Sequence, residues 1–300
     1  MNQKILGYAR LARPANLPTA AADIVAGVAV TGIFSSANTD IFLTAISGSS
    51  IFYLVFSSVF LYAGGVILND VFDYKIDAIE RPERPIPSGI ISLRSAATYG
   101  SIVMFVGIAL AFLVNSVSGS VAIILAVSIL LYDAIAKKYD FFGPLSMGIC
   151  RGINLILGMS VLGTLGYWWI AVIPIIYIFA ITLISRGEVH GKNKNHIVLA
   201  GVLYATVIFA VLSLAYLYTD SIIFPLLYLA LFSFLVFRPL RKAHSENSPE
   251  NIKKAVMAGV LSLVVLDASI AVTFSTWWYG LLILALLPVS KALSKLFAVT

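Results

Sequence analysis

The sequence predicts an all-α polytopic membrane protein, a transmembrane helical bundle of nine or ten spans. Three observations predict it. The chain of 300 residues is 60% hydrophobic and only 11% charged, with a mean hydropathy of +0.98. A soluble domain carries about 25% charged residues. Apolar runs of span length follow one another with short gaps, and a helix needs about 20 mostly apolar residues to cross a bilayer. Every Lys and Arg except Arg151 falls at the end of a run or between runs, and the basic residues recur in alternate loops.

The runs, in order, are 16–34, 49–68, 95–114, 118–135, 145–163, 168–185, 197–217, 222–237, 256–274 and 277–293. The first is span-length and lacks a clear A-x-A-type cleavage site, so it is expected to stay as an uncleaved anchor. The eighth is short, and the last two are parted only by "STWW", so nine and ten spans both stand. Basic residues cluster at the N-terminus (Lys4, Arg10, Arg13), after the second, fourth, sixth and eighth runs, and at the tail (Lys291, Lys295). The intervening loops show only Asp40 and Asp220. The positive-inside rule therefore puts the basic loops and the N-terminus in the cytoplasm. This distribution accounts for the net charge of +6 without nucleic acid as a partner. Cys150 has no second cysteine to pair with, and His190, His196 and His244 lack zinc spacing. "YWWIAV" from Tyr167 and "WWYG" from Trp277 are interfacial aromatic anchors.

The whole chain is one membrane domain, with a hint of internal duplication. Asp73 and Glu188 are 115 residues apart, as are Asp77 and Lys192, and each pair follows an even-numbered run. This suggests a four-span unit used twice, as spans 1–4 and 5–8. The stretch 238–254 reads as a solvated connector, with Ser248 the cap of a new helix that starts at Pro249 and Glu250.

Chemistry concentrates in "NDVFDYKIDAIERPERPIPSG", Asn69 to Gly89, directly after the second run. Residues four apart share a helix face, so Asn69, Asp73 and Asp77 are expected in one column with Asp70 beside it. A carboxylate in hydrocarbon costs about 2.5–3.5 kcal/mol even on insertion scales. Such a column needs a compensating cation. Mg²⁺ is the natural one, because it takes one or two carboxylates and completes its shell with water and substrate phosphate. Arg81 and Arg84 follow in a loop stiffened by Pro82, Pro85 and Pro87, and arginine forks match phosphate oxygens. The plainer alternative is a helix end with ordinary interface charges.

The motif N-D-x-x-D-x-x-x-D followed by R-P-x-R-P-x-P-S-G resembles the first signature of the UbiA superfamily of intramembrane prenyltransferases. "LARPAN" (Leu11 to Asn16), Tyr132 with Lys137 and Lys138, and "SRGEVHGK" from Ser185 extend the resemblance over most of the chain. "RPERPIPSG", "SRGEVHG" and the terminal "FAVT" are most similar to the EboC-like branch. The resemblance implies a helical bundle around a central cavity, with polar loops over a cytoplasmic mouth and a lateral opening to membrane lipid. The implied reaction moves an isoprenoid from a prenyl diphosphate to an acceptor that the sequence does not identify. Asn69, Asp73 and Asp77 would hold Mg²⁺ on the diphosphate, with Asp70 nearby. Arg81, Arg84 and Lys137 or Lys138 would bind its oxygens. Asn16, Tyr132 and His190 would line the cavity or meet the acceptor.

The second motif departs from the family pattern of two aspartates four apart that hold a second Mg²⁺. Glu188 stands at the first position, Lys192 at the second, and Ser185 is the counterpart of Asp70. Either Lys192, with Arg186 or His190, replaces the second metal as a fixed cation on the diphosphate, or this half has lost catalysis. In the latter case the protein is a non-catalytic lipid-binding or transport-accessory protein. A secondary transporter fits less well, because the polar residues gather at helix ends rather than at mid-membrane. Within the spans, Arg151 and Asn154 share a face. They either line the cavity toward diphosphate or acceptor, or Arg151 pairs structurally with Asp23 or Asp267.

Overall fold

The computed structural model describes residues 3–34, 48–188, 191, 193–219 and 221–297, and every regular element among them is helical. In chain order these are α1 (Gln3–Leu11), α2 (Leu17–Val30), α3 (Gly48–Phe72), α4 (Tyr74–Glu80), α5 (Leu93–Phe112), α6 (Ser116–Ala134) and α7 (Phe142–Met159). They continue as α8 (Val172–Ser185), α9 (Lys194–Tyr218), α10 (Ile223–Ser245), α11 (Pro249–Phe274), α12 (Trp277–Leu284) and α13 (Leu286–Leu296). Among the described residues, nine segments are long and apolar enough to cross a membrane. These are α3, α5, α6 as far as Lys138, α7 as far as Leu162, α8 from Trp168, α9, α10, α11, and α12 with α13. The run at 16–34 forms α2, which has only 14 residues. At 1.5 Å per residue it spans about 21 Å, short of the roughly 30 Å hydrocarbon core. The break at Ser275 and Thr276 does separate α11 from α12.

Helix starts follow the sequence. Asn115 accepts a hydrogen bond from the Ser118 amide at 2.8 Å, and Ser92 accepts one from Ser95 at 3.1 Å. Ser248 accepts one from Asn251 at 3.3 Å and Pro249 takes the first turn of α11, as expected. The stretch 238–254 differs from the connector the sequence suggested. α10 runs on to Ser245, so only residues 246–248 link it to α11. Arg238, Arg241 and Lys242 decorate the last turns of α10, where cations favour the carbonyl end of a helix.

Two large apolar clusters meet at α2 and α7. Ala22, Ala26, Leu155 and Met159 join the core built by α8 to α12. Ile24, Val28, Leu157 and Val161 join the core built with α3, α5 and α6. The same two helices therefore serve both halves. Small residues allow it. A Cβ at Gly27 would run into the Leu155 carbonyl, and one at Gly158 into that of Ile24, so the two backbones touch where only glycine fits. Elsewhere large apolar side chains such as Phe105, Phe209, Leu217 and Phe234 stand exposed, as a lipid-facing surface requires.

Gly158→Val and Gly27→Val should each destabilise the bundle by about 1–3 kcal/mol or more through overpacking. Gly166→Ala, which meets open space, should not. Thermal unfolding of the detergent-solubilised variants measures the difference.

Candidate active site

The polar residues of the first motif collect where α3, α6 and α8 end. α3 stops at Phe72, and Asp73 leaves helical geometry with ψ near 2° before α4 begins. Helical hydrogen bonds still bridge the break, from the Asp73 amide to the Asn69 carbonyl and from the Asp77 amide to the Asp73 carbonyl, each at 2.9 Å. The single column expected of Asn69, Asp73 and Asp77 separates into two partner sets at this break. Asn69 donates to Asp133 Oδ1 at 2.6 Å, and Asp73 Oδ1 lies 2.6 Å from Lys137 Nζ. Both therefore engage the end of α6 and the turn after it. Asp70 and Asp77 share Arg84 instead, at 3.2 and 2.5 Å from its Nη1. Asp70 also receives Arg13 at 2.6 Å.

The loop that delivers Arg84 is held from within. The Ser88 amide bonds the Arg84 carbonyl at 3.0 Å, the Ile91 amide bonds the Pro85 carbonyl at 3.0 Å, and Gly89 turns with φ +77°. Ile86 and Ile91 are buried against Leu11 and Ile67. Proline stiffening and this apolar anchor fix the guanidinium over two carboxylates.

Two residues of this cluster were not picked out by their sequence positions. Arg13 precedes Pro14 in "LARPAN" and adopts a left-handed conformation, φ 45°. Non-glycine residues rarely hold that geometry without compensation, and here the Asp70 ion pair accompanies it. Asp133 is buried, accepts from Asn69, and lies 4.0 Å from Lys137 four residues on. Its other oxygen has no partner among the described residues. The signal was available: an ionisable residue at the end of an apolar run, spaced four before a lysine.

The second-motif side is close by. Tyr132, Lys137, Lys138, Thr182, Ser185 and Arg186 line a cavity of about 320 Å³. Arg186 pairs with Asp140 and donates to the Tyr139 carbonyl at 3.0 Å. Glu188 is half-buried within electrostatic reach of Lys253 and of exposed Arg81; burial raises its carboxyl above the ordinary value, and the two cations oppose that. Asn193 ties this loop down, donating to the Ile184 carbonyl at 2.8 Å and accepting from Asn247 at 3.2 Å. His190 and Lys192 lie outside the described residues. Asn16 is half-buried in the turn before α2, and its carbonyl accepts from Thr19 at 2.8 Å.

Arg151 and Asn154 sit elsewhere. Arg151 Nε is 2.6 Å from Asp23 Oδ2, which also accepts from Asn154 at 2.7 Å. Ser58 donates to Asn154 at 2.7 Å, and Asp267 is fully buried beside Asp23. Ser58 precedes Asp70 by three turns and more of α3, or about 18 Å. The network is thus a second polar centre, deep in the bundle, that joins α2, α3, α7 and α11.

The model of the UbiA prenyltransferase family matches residues 25–259. The chain belongs to the UbiA prenyltransferase family. Among curated proteins it is 39% identical over 161 residues to a digeranylgeranylglyceryl phosphate synthase of Methanococcoides burtonii, across 53% of this chain and 56% of that protein. The match thus spans about half the length of this relative. Among solved structures, a digeranylgeranylglyceryl phosphate synthase aligns with TM-score 0.65 at 22% identity, over 90% of this chain and 98% of that one. A UbiA homolog from Archaeoglobus fulgidus bound to GPP and Mg²⁺ aligns with TM-score 0.65 at 15% identity, over 88% and 99%. These structural likenesses establish the family's helical fold. The affinity to the EboC-like branch stays a resemblance in "RPERPIPSG", "SRGEVHG" and "FAVT".

Arg151→Gln should lower stability by about 3–5 kcal/mol, because it strips a buried carboxylate of its cation. Asp267→Asn should be tolerated, since an amide in the same place can still donate to the neighbouring Asp23 carboxylate. Thermal unfolding checks both. An Arg151→Gln protein that melts normally but loses acceptor affinity would mean a substrate role instead.

Proposed function

We propose that this integral-membrane protein is a prenyltransferase that moves an isoprenoid from a prenyl diphosphate to an acceptor with the help of Mg²⁺. The observation that carries the reading is the patch where Asn69, Asp73 and Asp133 meet Lys137 at the end of an apolar bundle. It sets hard oxygen donors beside fixed cations, which is the chemistry a metal-bound diphosphate needs. Among the described residues no three acidic, His or Cys side chains form a closed metal cage. This fits an ion that takes only one or two carboxylates from the protein and the rest from phosphate and water. The unpartnered oxygen of Asp133 supplies further acceptor capacity beside Asn69.

Asn69 and Asp73 would hold Mg²⁺, with Asp70 and Asp77 oriented behind them by Arg13 and Arg84. When bound, Mg²⁺ would stabilise the charge that grows on the departing diphosphate. Lys137 stands against Asp73 and can donate to the same oxygens. The apolar spans around the mouth would keep water from the allylic carbon. The basic loops would face the cytoplasm. The donor class accords with the A. fulgidus homolog bound to GPP and Mg²⁺. The name of the curated relatives points to a glyceryl phosphate lipid as the acceptor class.

One observation favours the non-catalytic reading: Asp70, Asp73 and Asp77 are each already engaged by a cation. Release of diphosphate decides between the two. Purified protein given geranyl, farnesyl or geranylgeranyl diphosphate, Mg²⁺ and pooled lipid acceptor should release diphosphate. Asp73→Ala should slow that release by about 10²–10³-fold, the usual loss for one electrostatic stabiliser. Tight binding of the donor with no release from any pool would leave a lipid-binding protein.

A further inference from the structure

α5 begins where the proline loop ends, and its 20 residues make it about 30 Å long. That is the thickness of a bilayer's hydrocarbon core, so the first turn of α5 lies at headgroup level. Arg94, Thr98, Ile102, Phe105 and Ala109 recur every three or four residues, on one face of the helix. All five are exposed. The face is thus cationic and hydroxylic in its first turns and apolar beyond them, over about 22 Å in all. A lipid has the same profile, with a charged head followed by a chain.

α1 turns the polar end of this face into a groove. Gly7 brings α1 against the loop, where a Cβ would lie 3.1 Å from both Ile90 and Ile91. Tyr8 meets Tyr99 edge to face, with ring centroids 5.2 Å apart. These two tyrosines, with Arg94, Ser95, Thr98 and Ile102, line a groove of about 620 Å³. Among the described residues no carboxylate lines it, and Arg94 has no ion-pair partner. Lys4 stands one turn before Tyr8 on the same face of α1. A lone arginine at an interface snorkels to any passing headgroup. Here the guanidinium, whose fork matches phosphate oxygens, has hydroxyls and tyrosine rings beside it that wall a defined recess.

We propose that the α1–α5 groove binds one anionic phospholipid of the surrounding membrane, with its phosphate on Arg94 and its chain along Ile102, Phe105 and Ala109. Arg94 and Lys4 would repel the ammonium of a zwitterionic headgroup, which selects for net negative charge. None of the groove's residues belongs to the mouth, so the site stands whether or not the chain is catalytic.

Native mass spectrometry of the full-length, detergent-purified protein tests this, because it counts bound lipids by mass. Wild type should retain one phosphatidylglycerol at about tenfold lower concentration than phosphatidylcholine. Arg94→Gln, at an exposed residue whose loss should leave the fold intact, should weaken phosphatidylglycerol by about tenfold and erase the preference. That is the loss expected for one charged hydrogen bond. Arg241→Gln, which removes an exposed cation from the end of α10, should change nothing. Equal retention of the two lipids by wild type would overturn the proposal. So would equal losses in the two variants, or none in either, since the attraction would then belong to the basic surface at large. A lipid-free dimer that Arg94→Gln disperses would overturn it as well, by assigning the groove to a second copy of the chain.

Discussion

Carboxylates at the boundary of a bilayer cannot stand alone, and much of the structure of the mouth follows from that. Asp70 and Asp77 are nearly buried and Asp73 is partly so. Each is met by a cation from another part of the chain: Arg13 from the turn before α2, Arg84 from the proline loop, Lys137 from the turn after α6. Buried ion pairs seldom add net stability over apolar packing. Their effect is positional, because a cation that must reach a carboxylate fixes the segment that carries it. The left-handed backbone at Arg13 and the buried Ile86 and Ile91 of the loop are the local means by which two of these segments arrive.

The same requirement recurs in the middle of the bundle with a different result. Asp23 is held by Arg151 and Asn154, and Asn154 in turn by Ser58. The Gly27–Gly158 contact lets α2 and α7 come close enough for those short side chains to meet. Small residues and a polar knot therefore act together. The glycines set the separation of the helices, and the knot sets their register. The seam joins the two helices that carry both apolar cores at once.

The spans were legible because hydrocarbon demands long apolar helices, and the cap at Ser248 because backbone amides demand acceptors. The first run was over-read: an apolar window reports hydropathy and says little about where a short, Ala-rich helix stops, so 16–34 became a helix ending at Val30. In the mouth, spacing placed Asn69 and Asp73 correctly on one side. It did not reveal the parting of Asp77, which depends on the break at Asp73 and on Arg84, seven residues beyond it. Arg13 and Asp133 escaped because their partners are 57 and 64 residues away or reached only through folding. Of the two readings open for Arg151, the sequence could not choose. The ion pair with Asp23 is a contact across 128 positions that periodicity on one helix does not encode.

Pairing Asp70, Asp73 and Asp77 with cations also bears on how such a site could work. Were the mouth to present bare aspartates, a metal would be needed merely to hold the fold together, and its arrival would change the local charge by two units in a medium of low dielectric. With the ion pairs in place, a metal-bound diphosphate brings its own opposite charges. Under the proposed function Asp73 would pass from Lys137 to the metal, and Lys137 to a phosphate oxygen. Each charge changes partner and none is left exposed. The cost of entry then lies in rearranging pairs rather than in burying charge, and that is a smaller barrier where dielectric screening is weak. By this argument the cations facing Asp70, Asp73 and Asp77, which taken alone favour the non-catalytic reading, are also compatible with turnover. They are what allows an apolar bundle to admit one of the most highly charged of common substrates.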